Sequence, residues 1–481
     1  MSAEPLDILI IGAGIAGIGA ARDILRKAPG LRFQIFEARE KIGGTWDLFR
    51  YPGIRSDSDF ATLGYPDKPF LNGRSTASGE EIRAYLQEAA EESGALAKIL
   101  FRHRLIAADF DKAAGLWRAE VETDAGSRIF TARILYMCAG YYDYASGYAP
   151  DFPGQKLFAG EIIHPQFWPE NFDPAGKRLI VIGSGATAVT LVPALAAKAR
   201  HVVMVQRSPT FITALPARDA MGVFLARFLP ARAAFALIRW RNLLFSTAFY
   251  TLARRKPQWA RNYLLGLVRK KLRIDGEAMR NFTPRYEVWD QRLCLDPGGA
   301  LFRRLFDGSA SIVTGEIDSF TADGLRLRDG ESFRADAIIT ATGLNLQVCG
   351  GARISVDGVA VEAGKLLTYR GCMFAGVPNL VAAIGYANAA WTLKTQLTNI
   401  FLLRLVRALA AKKARWAAPQ GAPAPAGVVL ELTSNYVTRA ADVLPKQGAA
   451  EPWRYSMSYF RDLFRLRFGA LDDGFLHFER G

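Results

Sequence analysis

Two glycine-rich turns, about 170 residues apart, constrain the fold of this chain more than any other feature. The first turn, GAGIAG at residues 12–17, follows the apolar run LDILII and precedes a segment with helical spacing and the run LRFQIFEA. The second turn, GSGATA at residues 183–188, follows KRLIVI and precedes another helical segment and HVVMVQRS. Continuous apolar runs of this length predict buried parallel strands. Each turn therefore lies in a βαβ unit, and the sequence predicts an α/β protein with two Rossmann-like dinucleotide-binding domains.

The composition indicates several folded units in a reducing compartment. Half of the 481 residues are hydrophobic, which suits large cores, and a chain of this length usually forms more than one domain. No two of the four cysteines form a C-x-x-C pair, so we expect no disulfide framework, no metal site and no dithiol centre. The start MSAEPLDILIIG has no basic segment before its apolar run, so we expect no signal peptide and a cytoplasmic location. The uncharged run 371–393 contains GVPN and GYANAA, which favours buried strand and loop over a membrane span.

The first turn has the features of an FAD site. Gly12, Gly14 and Gly17 form G-x-G-x-x-G at the start of a helix, where backbone N–H groups can approach a pyrophosphate. Glu37 lies 20 residues after Gly17, at the end of the second strand, where a carboxylate can accept hydrogen bonds from both ribose hydroxyls. The glycines of GGTWDL, at residues 43–48, let the backbone pass close to a flat ligand, and we favour a flavin.

The second turn indicates NADPH. Gly183, Gly185 and Ala188 form G-x-G-x-x-A, and the following strand ends in Gln206 and Arg207 instead of an acid. Gln206 does not repel a 2′-phosphate, and Arg207 can pair with one. Two nucleotide units in one chain imply that NADPH reduces FAD. Since the sequence offers no dithiol, oxygen is the expected acceptor of the electrons.

Residues 213–274 form a basic segment. It holds thirteen Lys and Arg residues and one acid, Asp219, and so carries +12 of the net charge of +15. One interpretation is a helical surface at which the protein associates with an anionic membrane, peripherally at its inner face, and at which apolar substrates enter. The other, which we favour, is a helical cap over the NADPH unit with a solvated basic face. No motif indicates nucleic-acid binding. Farther on, AAPQGAPAPAG at residues 417–427 predicts a flexible surface loop.

The stretch FAGEIIHPQFWP, at residues 158–169, lies between the two units and suits neither a strand nor a helix. It matches F-x-G-x-x-x-H-x-x-x-W-P, the fingerprint of the Type I Baeyer–Villiger monooxygenases, and ATG at 341–343 matches another motif of that family. The chain therefore resembles this family and, within it, the bacterial ethionamide (thioamide prodrug) monooxygenases. The stretches that carry the second resemblance lie along nearly the whole chain: TWDLFRYPGIRSDSD, GSGATAVTLVPAL, QRSPTF, WDQRLCL, TATGLNLQ, GYANAAWTLK and LPKQG.

The resemblance implies a reaction and two catalytic residues. In the family, NADPH reduces FAD, and a flavin C4a-peroxide formed with O2 inserts one oxygen atom into a ketone to give an ester or lactone. The protonated peroxide oxidises thioethers and thioamides, so the expected substrate is a small apolar ketone or a sulfur compound. Arg292 in WDQR matches the active-site arginine, whose fixed charge can stabilise an oxyanion. Asp57 matches the carboxylate that positions it, with Arg55 and Ser56 near the cofactors.

The resemblance also assigns cofactor residues. Those expected at FAD are Gly12, Gly14, Ala16, Gly17, Glu37, Gly44, Thr45, Trp46, Asp47, Leu48, Asp57 and Leu105. Those expected at NADPH are Gly183, Ser184, Gly185, Ala186, Thr187, Ala188, Val189, Arg207 and Ser208. The chain departs from the family at Gln291, where many members have a lysine that helps to bind the 2′-phosphate. The preference for NADPH should therefore rest mainly on Arg207.

The predicted division of the chain follows from these motifs. Residues 1–145 and 346–481 should form the FAD domain. Residues 146–212 and 291–345 should form the NADPH domain with its interdomain linker at 146–176, and residues 213–290 should form a basic helical insertion. His164 and the rest of the fingerprint should act as a latch or hinge between domains and not in the chemistry. Two alternatives stay open: a flavin monooxygenase that oxygenates nitrogen or sulfur, and a nucleotide-binding flavoprotein that serves as a scaffold or redox sensor.

Overall fold

The computed structural model describes residues 4–480 and contains two main sheets, each built around one glycine turn. In the larger sheet, Leu6–Ile11 pairs in parallel with Phe33–Phe36 on one side and with Gly126–Met137 on the other. Its strand order is Val359–Ala360, Arg353–Val356, Arg104–Asp111, Leu116–Thr123, Gly126–Met137, Leu6–Ile11, Phe33–Phe36 and Ile99–Leu100, and Leu380–Ala382, Met373–Phe374 and Thr368–Tyr369 branch from Gly126–Met137.

Helices from both ends of the chain cover the larger sheet. Ile15–Lys27 follows the first glycine turn, and the buried helix Trp391–Lys412 packs against it. Asn399 in the second helix donates to Asp23 in the first, and it accepts from the hydroxyl of Tyr136 in the sheet. The other helices around this sheet are Thr45–Leu48, Phe60–Leu63, Gly79–Glu92, Asn435–Arg439 and Tyr459–Arg467. The N-terminal and C-terminal parts of the chain therefore share one core.

The smaller sheet has five parallel strands. Their order is Glu161–Ile163, Ala337–Thr340, Arg178–Ile182, His201–Gln206 and Ala310–Thr314, and the helices Ala186–Leu195 and Ala300–Phe306 lie beside them. One sequence expectation is wrong here, because Glu161–Ile163 is an edge strand inside the fingerprint stretch. Three residues are too few for an apolar pattern to reveal a strand, and this one is held by its neighbour Ala337–Thr340.

Two segments connect the sheets, and they pair with each other. Tyr142–Gly147 leaves the larger sheet and Leu344–Leu346 returns to it, and the two form an antiparallel pair with Leu344 opposite Gly147. A two-stranded crossover of this kind limits the ways in which the two domains can move relative to each other.

The basic segment folds into the helices Ala220–Phe228, Ala231–Arg255 and Pro257–Leu272, followed by a 3₁₀ turn at Gly276–Phe282. The helix Pro257–Leu272 packs its apolar face into the core of the smaller sheet. The helix Ala231–Arg255 also packs Phe235 and Ile238 against Ala61, which lies in the helix Phe60–Leu63 beside the larger sheet. The expectation of a cap over the NADPH unit is therefore incomplete, since the insertion packs both into the core of the smaller sheet and against a helix beside the larger one.

The remaining strands form small sheets of two or three strands. The pairs are Arg55–Asp59 with Thr76–Ser78, Ile212–Leu215 with Cys294–Pro297, Gly427–Val428 with Lys446–Gln447, and Ala414–Pro419 with Leu476–Arg480, and Ile317–Thr321, Gly324–Leu327 and Ser332–Arg334 form a three-stranded sheet. The strand Ala414–Pro419 shortens the loop predicted at 417–427, because its last three residues are paired and buried, whereas residues 420–426 are exposed and belong to no helix or strand. None of the helices within residues 4–480 is both long and apolar enough to span a membrane.

Candidate active site

The first glycine turn is shaped by close backbone contacts. Gly12 has a φ of +102°, and a Cβ atom on it would lie 2.8 Å from the carbonyl oxygen of Cys138. A Cβ atom on Gly17 would lie 1.9 Å from the carbonyl oxygen of Gly12. A side chain at either position would push the helix Ile15–Lys27 away from the sheet. Both glycines therefore bring the helix N-terminus to the strand ends, where its N–H groups are free for an anion.

Glu37 and a second pair of glycines surround this turn. The buried Glu37 carboxylate accepts hydrogen bonds from the backbone N–H groups of Ala13 at 2.8 Å and of Arg39 at 3.0 Å. A Cβ atom on Gly44 would lie 3.1 Å from the Cα atom of Gly14. The turn is thus enclosed by backbone without side chains and has a carboxylate at the ribose position, an arrangement that fits the ribose and diphosphate of FAD.

The structure places the other predicted FAD residues around the same turn. Thr45, Trp46, Asp47 and Leu48 form one short helix directly after Gly44. The carboxylate of Asp47 is buried and pairs with Arg39 at 2.6 Å and with Arg50, so it anchors this helix. The strand that holds Leu105 is tied to Glu37, because the N–H group of His103 donates to the Glu37 carbonyl at 2.9 Å. The side chains of Ala16 and Leu105 are buried in the core, so they can face a cofactor only with their backbone.

The second glycine turn is more open. Gly183 has a φ of +134°, and a Cβ atom on it would lie 2.3 Å from the carbonyl oxygen of Ala341. A Cβ atom on Gly185 would meet nothing within 4 Å. Ser184 donates to the carbonyl of Ser208 at 2.8 Å and so ties the turn to the end of the next strand. This turn therefore offers free N–H groups beside open space, which fits a nucleotide that enters and leaves.

The residues after the second turn divide into core and surface. Ala188 and Val189 are buried in the core of the smaller sheet, so only their backbone can serve a cofactor. Gln206 is also buried, and its side-chain amide donates to the Asn281 carbonyl at 2.7 Å and to Thr314. Arg207 is exposed at the end of the strand His201–Gln206. Of the two strand-end residues, only Arg207 is available to a 2′-phosphate.

Arg292 and Asp57 come together where the two domains meet. Burial raises the pKa of the Asp57 carboxyl, and the charges of Arg55 and Arg292 offset this only in part. Arg55 is held in place because its Nη2 donates to the Leu295 carbonyl at 2.6 Å. Within residues 4–480, the Arg292 guanidinium and the Asp57 carboxylate approach no closer than 4.0 Å. The two predicted catalytic residues thus influence each other's charge without forming a closed ion pair.

Three tyrosines that sequence reasoning missed surround Arg292. Burial by itself lowers the pKa of the Arg292 guanidinium, but the tyrosine hydroxyl groups and then Asp57 raise it, and the net shift is upward. The tyrosines, in order of effect, are Tyr141, Tyr436 and Tyr142. Tyr141 also stacks on Trp391, with 5.0 Å between the ring centroids. Tyr141 and Tyr142 follow the strand Gly126–Met137. Because ligands bind at the carboxyl ends of parallel strands, this position could have indicated from the sequence that the two tyrosines lie at the site. Tyr436 carried no such signal.

The fingerprint residues contact the crossover between the domains. His164 Nδ1 accepts from the N–H group of Gln166, so Nε2 carries the proton and donates to the Gly343 carbonyl at 3.2 Å. The Gln166 amide donates to the carbonyls of Asp143 at 2.9 Å and Tyr144 at 3.1 Å. His164 also lies on Gly147, where a Cβ atom would be 2.0 Å from the ring. The fingerprint therefore holds both strands of the crossover.

Other fingerprint residues pack around the smaller sheet. Phe158 lies in an apolar cluster with Ile180 and Phe320, and a Cβ atom on Gly160 would lie 2.5 Å from the Asp336 carbonyl oxygen. Trp168 packs edge-on against Phe172 at 5.4 Å. These contacts explain the residue types of the motif as packing requirements.

Comparison with known proteins agrees with this geometry. The model of a family described as flavin-binding monooxygenase-like matches residues 6–222. EthA of Mycolicibacterium smegmatis, an FAD-containing monooxygenase, is 44% identical over 99% of this chain and 98% of its own length. AlmA of Acinetobacter baylyi, a probable FAD-binding monooxygenase, is 43% identical over 99% of this chain and 96% of its own length.

Solved structures share the fold. An oxidised steroid monooxygenase bound to NADP has a TM-score of 0.76 at 23% identity and covers 99% of this chain and 100% of its own. An open form of cyclohexanone monooxygenase has a TM-score of 0.77 at 20% identity with the same coverage. At these identities the likeness concerns the fold.

The fold and the two turns define a flavoprotein with two dinucleotide-binding domains. With relatives above 40% identity along its whole length, the chain belongs to the family of FAD-containing monooxygenases. The predicted resemblance, the predicted α/β fold and the prediction of a flavin monooxygenase with FAD are confirmed.

Proposed function

We propose that this protein is an NADPH-dependent Baeyer–Villiger monooxygenase, which inserts one oxygen atom of O2 into apolar ketones and also oxidises the sulfur of thioethers or thioamides. The observation that carries the proposal is the charge of Arg292, which lies beside Asp57 and among three tyrosine hydroxyl groups. The similarity to EthA and the fold shared with steroid and cyclohexanone monooxygenases support it.

The cofactor residues have defined tasks in this proposal. When bound, FAD takes hydride from NADPH and activates O2 for transfer to the substrate. The N–H groups of the first turn hold the FAD diphosphate, and Glu37 accepts from the ribose hydroxyls. At the second turn, the backbone N–H groups hold the NADPH diphosphate, and Arg207 pairs with the 2′-phosphate.

Arg292 has the central catalytic task. Attack on a ketone carbonyl places negative charge on the carbonyl oxygen, and a fixed guanidinium stabilises that charge most where water is excluded. A guanidinium keeps its proton at any pH at which a protein works, so the side chain stays charged throughout the reaction. Asp57 orients the guanidinium from nearby and does not neutralise it in a closed ion pair. The hydroxyl groups of Tyr141 and Tyr142 lie 3.2 Å apart, so one donates to the other and only one hydroxyl proton is left to donate elsewhere at the same place.

The test is a product analysis with a panel of ketones and thioethers. We expect O2-dependent oxidation of NADPH that rises with substrate and yields esters or lactones. Arg292→Ala should lower ester formation by about 10²–10³-fold, the usual cost of losing a group that stabilises an oxyanion. Arg280→Ala removes an exposed arginine paired with Glu277 and serves as the control. Ester formation by Arg292→Ala at the wild-type rate would show that the catalytic assignment is wrong.

A second candidate function is oxygenation of nitrogen or sulfur without ketone chemistry. The match to the flavin-binding monooxygenase-like family over residues 6–222 favours it, since that match covers both glycine turns and the fingerprint. The same panel separates the two functions, because this candidate predicts sulfoxide without ester. NADPH oxidation that no substrate stimulates would instead favour a scaffold or redox sensor.

We also propose that the domains divide as the motifs predict, with FAD at 1–145 and 346–481, NADPH at 146–212 and 291–345, and the insertion at 213–290. The pairing of Tyr142–Gly147 with Leu344–Leu346 supports boundaries near 145 and 346. Adding NADP⁺ should slow hydrogen exchange in residues 178–208 and leave residues 6–17 unchanged. Equal protection of both turns would contradict this division.

The insertion carries a further part of the proposal, peripheral binding to an anionic membrane. Within residues 4–480, eleven of the twenty exposed large hydrophobic side chains lie in the segment 213–274, which also carries +12 of the net charge. They are Met221, Val223, Phe224, Phe228, Leu237, Trp240, Leu244, Phe245, Leu252, Trp259 and Tyr263. An apolar helical face among basic residues is typical of helices that lie in a lipid interface.

Vesicle pelleting tests the membrane proposal. At low salt the wild type should pellet with phosphatidylglycerol vesicles, and added salt should release it. The double variant Phe224→Ser, Phe228→Ser should lose most of this binding. Phe306→Ser changes an equally exposed phenylalanine outside the segment and should bind as the wild type does. If the wild type stays in the supernatant at low salt, the membrane proposal fails.

A further inference from the structure

Arg439 is a cation beside the second glycine turn that the sequence did not reveal. It is the last residue of the helix Asn435–Arg439 and is exposed. Its guanidinium carbon lies 3.4 Å from the ring centroid of Tyr148. A Cβ atom on Gly343 would lie 3.3 Å from Arg439 Nη2. Because stacking on a tyrosine fixes the plane of a guanidinium, this side chain is held in place although it is exposed.

The strand order places Arg439 and Arg207 on opposite sides of the turn. The strand Arg178–Ile182 leads into the turn, with Ala337–Thr340 on one side and His201–Gln206 on the other. Arg207 follows the second neighbour. Gly343 follows the first, and the nearby Ala341 carbonyl lies against Gly183. The N–H groups of the turn therefore lie between the two arginines.

The two arginines form an unbalanced pair of positive charges. Within residues 4–480, neither guanidinium lies within 4.0 Å of a carboxylate oxygen. Burial lowers the pKa of Arg439, Tyr148 raises it, and the charge of Arg207 lowers it further. Two like charges near each other repel, and an anion bound between them offsets this electrostatic repulsion.

We propose that Arg439 binds the diphosphate of NADPH from the side of the turn opposite Arg207, and so contributes to the affinity for the dinucleotide but not to the discrimination between NADPH and NADH. The assignment rests on the proposed NADPH site at this turn. Arg207 then binds the 2′-phosphate alone. The proposal divides two properties that a single cluster of cations would combine, namely affinity through Arg439 and selectivity through Arg207.

Equilibrium binding to the oxidised FAD-loaded protein tests this division. Kd values for NADP⁺ and NAD⁺ are measured by calorimetry for the wild type, Arg439→Gln, Arg439→Lys and Arg207→Gln. Arg353→Gln removes the same charge from an exposed position in the other domain and serves as the control. The flavin content and the melting temperature of each variant report on folding.

We expect Arg439→Gln to raise the Kd for NADP⁺ and NAD⁺ by similar factors of about ten, the loss of one charged hydrogen bond. Arg439→Lys should recover part of the loss, and Arg207→Gln should raise only the Kd for NADP⁺. An unchanged Kd in Arg439→Gln, or a loss confined to NADP⁺, would overturn the assignment of Arg439 to the diphosphate. A wild type that binds neither nucleotide would instead contradict the proposed NADPH function itself.

Discussion

The two glycine turns have nearly the same backbone and different surroundings. Gly14 has φ and ψ of −81° and −170°, and Gly185 has −76° and −176°, so the middle residues of the two motifs are almost superimposable in conformation. Gly14 faces Gly44 and lies near the buried Glu37 carboxylate, whereas Gly185 faces open space. The motif alone thus positions the helix N-terminus for a diphosphate, and the residues around the motif determine how firmly the nucleotide is held. We infer that the first turn retains its cofactor and the second exchanges it.

Among the changes that compare the two turns, Gly14→Ala should have the largest effect. Alanine suits the extended backbone at this position, and its Cβ would lie 3.6 Å from Gly44, an ordinary contact, so the fold should survive. The methyl group would fill the space through which a diphosphate approaches, and FAD affinity should fall by about 100-fold through lost hydrogen bonds. Flavin absorbance per protein after dialysis measures this. Full retention of FAD would show that the enclosure is not the binding feature.

Arg207→Ala should have the next largest effect. Loss of the charge at the 2′-phosphate should raise the KM for NADPH by about tenfold to 100-fold and leave the KM for NADH nearly unchanged. Steady-state kinetics with both nucleotides test this at constant ionic strength. Equal changes in the two KM values would remove Arg207 from the 2′-phosphate site.

Gly185→Ala makes the matched change in the open turn. Its Cβ would meet no atom within 4 Å, so the protein should keep its FAD and its melting temperature. The Kd for NADP⁺ should rise by about tenfold, less than the effect at Gly14 because an open site can adjust. Loss of FAD from this variant would mean that the two turns are not independent.

A smaller effect is expected at the crossover. We propose that His164 coordinates movement of the NADPH domain, since its ring bridges Gly343 and Gly147. His164→Ala should slow flavin reduction by about three- to tenfold, the loss of one hydrogen bond, and should leave FAD bound. Stopped-flow absorbance of the flavin under anaerobic conditions measures this rate. A variant that loses FAD would show that the fingerprint is mainly structural.

The smallest effect concerns pH. Burial lowers the pKa of His164 below its ordinary value of 6.5, although hydrogen bonds to Gly343 and Tyr148 oppose the shift. The folded protein therefore prefers the neutral ring, so this stability is present above pH 6.5 and is lost as the pH falls through the lowered pKa. Because the ring is half-buried, solvent screening keeps the loss below about 1 kcal/mol. The melting temperature is measured as a function of pH for the wild type and for His164→Asn. It should fall more steeply below pH 6.5 in the wild type, and parallel curves for the two proteins would contradict the assignment.

Short-range patterns predicted much of the fold. The strand Leu6–Ile11 has the predicted bounds, and the second unit differs from prediction by one residue at the start of Arg178–Ile182. An apolar run next to a glycine turn is a local signal, because consecutive residues are enough to predict a buried strand. Glu161–Ile163 and Ala417–Pro419 could not be predicted in this way. Each is short or Pro-rich, and each becomes a strand only because a partner far away in the sequence pairs with it.

The candidate site shows the same limit. Gly12, Glu37 and Arg207 could be predicted as site residues because motif spacing fixes their places. Tyr436 and Arg439 reach the site from a five-residue helix near the C-terminus, which is brought there by tertiary packing. Side chains brought in by such packing have no signature in the sequence.

Product formation under isotopically labelled oxygen gas tests the central claim most directly. The claim is that FAD at the enclosed turn, NADPH at the open turn and the charge of Arg292 together transfer one atom of O2 to a ketone. Mass spectrometry of the product should show one labelled oxygen atom in each ester made by the wild type. Arg292→Ala should retain FAD and make almost no labelled ester. Unlabelled product from the wild type, or equal labelled ester from both proteins, would contradict the account.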